Sequence, residues 1–314
     1  MNKKVVVLGG GTGLSYLLRG LKQFPVDITA IVSVCDDGRS TGRLREEFNI
    51  PAMGDIRQVI VALSETEPLV EKLLNYRFKT TSDLNGHTVG NLLLAAVNNM
   101  TGSMSVGIKS LSKILNLKGK VIPLTEDNVT LMGEMTDGSI IEGEHRITQS
   151  TKQIKRVYYK DKVKVSYDAK RAIRNADLII LSMGSIFTSI VPNLICDDII
   201  KEIDRSSAKI MYCCNIVTQP GETDDFKASD HINLLNSYLG KRKIDVGIFN
   251  REHMDEELVQ KYETEEQKDP VILDKENLKD IEIIEEDLVT DTDGTFKHDT
   301  MRLAFLIFEY LLRK

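Results

Sequence analysis

The chain has 314 residues, of which 41% are hydrophobic and 28% are charged. This composition is typical of a globular protein, and the length allows two domains or one large composite α/β domain. No stretch approaches the roughly 20 consecutive apolar residues that a membrane span requires. The net charge of −6 disfavours a dedicated nucleic-acid-binding protein, which usually carries an excess of Lys and Arg. The amino terminus enters an apolar run without the features of a secretory signal, so we expect a cytoplasmic protein.

The first predicted elements are a strand and a helix, joined by a glycine-rich turn in VVVLGGGTGLSYLLRGL (Val5 to Leu21). Glycines allow a ligand to approach the backbone closely, and the free N–H groups of a helix start favour an anion. The turn therefore predicts a phosphate-binding site at Gly10, Gly11, Thr12 and Gly13. The dinucleotide fingerprint G-x-G-x-x-G is incomplete, because Leu14 stands in place of its third glycine. A redox dinucleotide, an activated sugar or a phospho-donor could each supply the phosphate.

Paired aspartates and a hydroxyl-rich helix start follow the second predicted strand, Ile28 to Val34. Carboxylates beside hydroxyls and an arginine suit a diphosphate, with or without magnesium. The candidate residues are Asp36, Asp37, Ser40, Thr41 and Arg43. Asp55, in the later sequence MGDIR, is either a metal ligand together with Asp37 or the N-cap of the next helix.

Two insertions are predicted between the second strand and the later ones. Residues 55–118 show helical spacing, and residues 119–170 show short strands with a hairpin turning at Asp137-Gly138. Within the first insertion, His87 and Asn91 lie at the start of an apolar helix. His87 either contacts a phosphate, works as an acid or base, or is a hydrogen-bonded structural residue.

Three later apolar runs, Asp177–Gly184, Ala208–Val217 and Ile244–Asn250, predict further parallel strands. The pattern predicts an α/β, Rossmann-like, doubly wound, mostly parallel sheet with an inserted helical cap and a small β excursion. We assign residues 1–54 and 171–314 to the core of a single composite domain. Loops at the carboxyl ends of parallel strands converge on one crevice, which adds these candidate ligand contacts: Gly184, Ser185, Asn215 and Thr218.

The last quarter of the chain is predicted as an acidic stretch of surface helices and loops, Glu252 to Asp293, followed by an amphipathic helix. Asp299 is the predicted N-cap of that helix. Tyr262 is a candidate for stacking on a base, and Lys297 for reaching the ligand from just before the helix.

In their order along the chain, these motifs resemble those of the YvcK branch of the YvcK/CofD-like family. The segments that carry the resemblance are LGGGTGLSYLLRGL, SVCDDGRSTGRLR, PAMGDIRQ, NGHTVGNLLL, LSMGSIFTSIVPNL and HDT. The resemblance covers nearly the whole chain. It implies a bacterial gluconeogenesis factor that binds a UDP-sugar such as UDP-N-acetylglucosamine and is required for cell shape and cell-wall synthesis on gluconeogenic carbon sources. It also implies cell-wall synthesis proteins as partners, and we expect a homo-oligomer.

The CofD branch of this family comprises magnesium-dependent transferases, which move a phospholactyl-type group from a guanosine diphosphate-activated donor. Arg57 stands where these transferases have a second acid, and arginine holds phosphate but cannot ligate magnesium. Lys297 stands where the YvcK branch favours arginine. We therefore interpret the chain as a non-catalytic regulatory protein that binds a UDP-sugar. Its alternative is a CofD-like transferase that uses Asp37 and Asp55 to hold magnesium.

Overall fold

The computed structural model describes residues 2–251, 256–261, 263–264, 267–292 and 295–313. The strands in chain order are β1 (Lys3–Gly9), β2 (Val26–Val32), β3 (Lys120–Pro123), β4 (Leu131–Met135), β5 (Ile140–Glu142), β6 (Ile154–Tyr159), β7 (Leu178–Leu181), β8 (Lys209–Cys213), β9 (Val246–Asn250), β10 (Glu282–Glu286), β11 (Val289–Thr292) and β12 (Thr295–His298). The helices are α1 (Gly11–Leu21), α2 (Arg39–Phe48), α3 (Gly54–Leu63), α4 (Pro68–Asn75), α5 (Val89–Thr101), α6 (Met104–Ile114), α7 (Glu144–Thr148), α8 (Tyr167–Arg174), α9 (Val191–Leu194), α10 (Asp197–Arg205), α11 (Ala228–Tyr238), α12 (Glu256–Lys261) and α13 (Thr300–Leu312).

Seven parallel strands form the central sheet, in the order β3-β2-β1-β7-β8-β9-β10. β1 lies between β2 and β7, so that Val7 is paired with Ala30 on one side and with Ile180 on the other. Strand order reverses between β1 and β7, and ligands of open α/β sheets bind outside the carboxyl ends of the strands at such a point. The apolar runs of β1 and β7 are buried because helices cover both faces of the sheet. The predicted Rossmann-like fold is confirmed.

Helix α1 packs on the sheet directly after this reversal point. Its leucines are fully buried and recur at helical spacing: Leu14, Leu17, Leu18 and Leu21. On its outer side α1 contacts α3 and α13, and a methyl group added at Gly20 would lie 2.1 Å from the carbonyl oxygen of Thr300. The amino-terminal end of α1 is thereby fixed above the gap between β1 and β7.

The first insertion is helical as predicted, and the second contains the predicted short strands together with the short helix α7. Helices α3 to α6 occupy residues 54–114, and β5-β4-β6 form a separate antiparallel sheet. The hairpin at Asp137-Gly138 is confirmed, since the Gly138 N–H donates to the carbonyl of Met135 at 3.0 Å. β3 lies within residues 119–170 but pairs with β2 in the central sheet. The assignment of residues 1–54 and 171–314 to the core stays a prediction.

The prediction of helices and loops for the acidic stretch from Glu252 to Asp293 is wrong for β10 and for β11, which pairs with β12. β10 pairs in parallel with β9 at the edge of the central sheet. Its first side chain is exposed and the other four are half-buried, and the sequence EIIEE lacks the continuous apolar run of the inner strands. Charged side chains are a common feature of edge strands, where they oppose pairing with another chain.

Helix α13 begins as predicted, because the Asp299 carboxylate accepts the backbone N–H groups of Met301 and Arg302 at 3.0 and 2.9 Å. Within the described ranges, no helix combines the length and the apolar character that crossing a bilayer needs.

Candidate functional site

Two glycine turns meet where the strand order reverses. A methyl group added at Gly13 would lie 2.1 Å from the carbonyl oxygen of Met183, and one added at Gly184 would lie 4.0 Å from the carbonyl oxygen of Gly10. The first turn of α1 therefore rests directly on the backbone that follows β7. The close approach is made at Gly13, whereas Leu14 is fully buried in the core. The absence of a third fingerprint glycine therefore does not disturb this turn.

Asp55 faces the start of α1 from the first turn of α3. It is not the N-cap, because that helix already begins at the preceding residue. Its carboxylate accepts the backbone N–H of Gly11, and a methyl group added at Gly10 would lie 2.5 Å from Asp55 Oδ2. Burial, together with the charges of Asp36 and Glu144, raises the pKa of Asp55 to about 8. One N–H group of the predicted phosphate turn is thus engaged by the chain's own carboxyl group.

The paired aspartates hold the loop after β2 in place. Asp36 Oδ1 accepts the N–H of Gly38 at 3.0 Å, and Asp37 Oδ1 accepts the N–H of His145, the second residue of α7, at 2.8 Å. In the part of the chain that the structure describes, no group of three or more His, Cys, Asp or Glu side chains is arranged to hold a metal ion. Magnesium binding by Asp37 and Asp55 stays a prediction.

Four predicted site residues meet in one buried polar cluster between the starts of α2 and α5. Ser40 Oγ lies 2.9 Å from His87 Nδ1. Asn91 Nδ2 donates to Ser40 Oγ at 3.2 Å and to Thr41 Oγ1 at 3.4 Å. Arg57 Nε donates to Asn91 Oδ1 at 3.0 Å. These polar atoms are bonded to one another, and the cluster joins the helical insertion to the loop after β2.

His87 and Arg43 make contacts that hold the insertion. Burial lowers the pKa of His87, and the nearby Arg43 charge lowers it further, so this imidazole is neutral at pH 7. Arg43 donates to the backbone carbonyls of Asp83, at 3.3 Å, and of Asn85. These contacts favour the structural alternative for His87, and ligand contact by either residue stays a prediction.

Asn215 joins the loops that follow β7 and β8. Its Oδ1 accepts the N–H of Gly184 at 2.9 Å, and its Nδ2 donates to the carbonyl of Gly184 at 2.8 Å. Thr218 is buried further along the same loop, and its Oγ1 accepts the N–H of Asp269 at 2.8 Å. The structure thus brings Asn215 to the glycine turns, whereas Thr218 ties its loop to the segment before β10.

Two carboxylates at this crevice were not among the predicted site residues. Glu144 begins α7, and burial raises its pKa to about 7, with the charge of Asp36 adding to the effect. Glu222, in the loop after β8, is 3% exposed and accepts the hydroxyl of Ser185 at 2.7 Å. The polar loop sequence that contains Glu222 was a usable signal. No comparable motif surrounds Glu144, which lies 107 positions after Asp37 in the sequence.

The hairpin β11–β12 reaches the same edge of the sheet. His298 Nε2 donates to the carbonyl of Cys214, the residue after β8, at 3.0 Å. Burial lowers the pKa of His298 to about 4, so the ring is neutral at pH 7. Lys297 precedes it on β12 and is half-buried. Tyr262 lies outside the described residues.

Comparison with known proteins assigns the family. The model of the family described as "2-phospho-L-lactate transferase CofD" matches residues 5–289. The chain is 46% identical over 311 residues to the "Gluconeogenesis factor" of Bacillus subtilis, with 98% of each chain covered. It is 45% identical over 310 residues to the "Gluconeogenesis factor" of Halalkalibacterium halodurans, covering 98% of this chain and 96% of that protein.

A crystal structure of a Bacillus halodurans protein gives a TM-score of 0.94 at 44% sequence identity, covering 98% of this chain and 100% of that one. The family match covers most of the chain, and the relatives match it from end to end. The chain therefore belongs to the CofD family, on the YvcK-like branch whose curated members are named gluconeogenesis factors.

Proposed function

We propose that the chain is a cytoplasmic regulatory protein that binds a UDP-sugar of the UDP-N-acetylglucosamine type across the carboxyl ends of its strands. Occupancy of this site would report the supply of cell-wall precursors during gluconeogenic growth, and cell-wall synthesis proteins would receive the signal.

The observation that carries the proposal is the pair of glycine turns that meet at the reversal point, with Asn215 bonded to the second of them. Gly11 to Gly13 and Gly184 are partly or fully exposed and lie on both sides of one crevice, which suits the diphosphate of a nucleotide. Asp36 and Asp37 follow β2, where acidic residues of nucleotide-binding sheets contact ribose hydroxyls. This arrangement offers a long polar site rather than a single anion pocket.

Three features favour binding, the first two over transfer and the third over redox chemistry. Arg57 donates to Asn91 within the polar cluster, where a cation can balance phosphate but cannot ligate magnesium. The carboxylates Asp36 and Asp37 are bonded to backbone N–H groups. The turn after β1 also differs from the dinucleotide fingerprint at Leu14.

Titration calorimetry with UDP-N-acetylglucosamine, GDP, NAD and ATP, each with and without magnesium, tests the proposal. We expect heat of binding with the UDP-sugar and no requirement for the metal. The proposal fails if the UDP-sugar gives no heat while NAD or GDP with magnesium binds. Chromatography of the recovered ligand is the second measurement, since consumption of the UDP-sugar would contradict a purely regulatory role and support the transferase.

A further inference from the structure

The carboxyl group of Glu222 is buried against a single π-helical turn, Ile186–Ile190, that follows the glycine turn after β7. Ser185 Oγ lies 2.7 Å from both carboxylate oxygens, and the backbone N–H of Phe187 donates to Oε2 at 3.2 Å. Gln219 Nε2 donates to Oε1 at 2.7 Å. Glu222 therefore fixes the serine that stands next to Gly184 in the crevice.

A chain of hydroxyl groups extends from Ser185 to the far side of the crevice. Ser185 Oγ lies 2.6 Å from Thr188 Oγ1 and accepts the backbone N–H of Thr188 at 3.0 Å. Thr148 Oγ1 is 3.5 Å from Thr188 Oγ1 and donates to Glu144 Oε1 at 3.0 Å. Hydrogen bonds thus connect Glu222, after β8, through Ser185 and Thr188, after β7, to helix α7.

The protonation state of Glu222 decides whether the Ser185 hydroxyl can donate a hydrogen bond to a ligand. A carboxylate accepts hydrogen bonds only, so the single O–H of Ser185 is committed to Glu222 when that residue is ionised. A protonated Glu222 donates its own O–H to Ser185 Oγ instead. The serine O–H is then released and can donate to an anion in the crevice.

We propose that Glu222 is a positioning residue that controls whether Ser185 donates to the ligand, so that binding of an anionic group is coupled to uptake of one proton by Glu222. This inference rests on the proposed function, since it assigns Ser185 to the phosphate or sugar part of that ligand. The proton comes from solvent, and no covalent bond other than O–H is made or broken.

The surroundings of Glu222 keep both forms accessible near neutral pH. Burial raises the pKa of Glu222 to about 7, and the charge of Asp224 adds to the effect, whereas hydrogen bonds from Ser185 and from the backbone of Ile186 and Phe187 oppose it. Gln219 and Thr188 face the carboxyl group or its serine partner without carrying charge. A bound anion nearby would favour the protonated form further.

Calorimetry with UDP-N-acetylglucosamine between pH 6 and pH 8.5, in two buffers of different ionisation enthalpy, measures the proton uptake. For the native chain we expect uptake of up to about one proton, and an affinity that falls by up to about tenfold per pH unit at the alkaline end. Glu222→Gln offers an amide N–H to Ser185 at every pH. We therefore expect it to retain its affinity at pH 8.5 and to take up fewer protons than the native chain.

Ser185→Ala should weaken binding and remove the same proton uptake. Glu202→Gln is the matched control, because Glu202 is also a buried glutamate but pairs with Arg174 on the outer helices α8 and α10. It should behave as the native chain. A merely structural Glu222 would make Glu222→Gln weaker by the same factor at every pH, or leave its proton uptake unchanged, and either result overturns the inference.

Inorganic pyrophosphate is the second probe in the same series. If the native chain binds pyrophosphate but no UDP-sugar, the proposed function fails, and the pyrophosphate series alone decides on Glu222 by the same comparison. If neither compound binds, both proposals are overturned.

Discussion

Asn215 is the side chain that holds the glycine turn after β7. Its amide meets both backbone groups of Gly184, because the Oδ1 atom accepts from the N–H while the Nδ2 atom donates to the carbonyl. Since Gly184 is also next to Gly10 across the reversal point, the orientation of this one amide sets how the turn after β7 faces the turn after β1.

Asn215→Asp should weaken UDP-N-acetylglucosamine binding by about tenfold or more, whereas Asn215→Ala should weaken it less. The carboxylate keeps the acceptor but cannot donate to the Gly184 carbonyl, and it places a negative charge where the ligand's anion would lie. Calorimetry at pH 7.5 measures the difference. Asn236→Asp is the control, because Asn236 Oδ1 also accepts a backbone N–H, that of Ile244, at the opposite ends of the strands. Equal affinities for the Asp and Ala variants at position 215 would contradict this role.

Elements that are buried on both sides were predictable from sequence, and elements at the margin were not. β1 and β7 have continuous apolar runs, because every side chain of these strands that lies in the core must be apolar. β10 was not predicted as a strand. An edge strand has a neighbouring strand on one side only, and the acidic residues of β10 are typical of a loop. The start of α13 was predictable because the Asp299 cap is a local interaction between residues close in sequence.

Asp299→Ala should lower the free energy of unfolding by about 1 kcal/mol, and Asp299→Asn by only a few tenths. Alanine leaves the N–H groups of Met301 and Arg302 without the side-chain acceptor, whereas asparagine retains it. Urea denaturation followed by circular dichroism measures both changes. A similar loss for the two variants would mean that the charge of Asp299, rather than its acceptor, stabilises the helix start.

At the scale of the whole molecule, the position of the crevice could be predicted from the sequence, but the cluster of carboxyl groups within it could not. Strand ends carrying glycine and polar residues converge in any parallel sheet, so their meeting could be predicted from the fold alone. The proximity of Asp36, Asp55 and Glu144 depends on how the insertions fold back onto the core. That packing joins residues far apart in sequence, and no local pattern encodes it. The engagement of Gly11 by Asp55 is a further contact of this kind.

These carboxyl groups give the fold a characteristic dependence on pH. The pKa is raised to about 8 for Asp55 and to about 7 for Glu144 and Glu222, so the folded chain retains protons that the unfolded chain has released. Their contribution to stability is therefore complete at low pH and is lost as the pH rises toward 8. His231 and His298 act in the opposite direction, since their lowered pKa of about 4 destabilises the fold only below pH 6.5.

We therefore expect the melting temperature of the ligand-free chain to decrease as the pH rises from 6.5 to 8. In this range the carboxyl groups titrate, whereas the two histidines stay neutral and do not change the stability. Each proton contributes a slope of up to about 1.4 kcal/mol per pH unit to the free energy of unfolding. Asp55→Asn should remove the largest part of this pH dependence, because asparagine is neutral throughout and can still accept the Gly11 N–H. The melting temperature of the variant should therefore vary less with pH, and the variant should be more stable than the native chain at pH 8. Asp287→Asn should retain the native slope, since the Arg251 contact lowers the pKa of Asp287 and moves its effect to acidic pH. Differential scanning calorimetry across this range measures the melting temperatures. A native melting temperature that is constant or rises toward pH 8 would show that ionisation of the crevice carboxyls does not destabilise the fold.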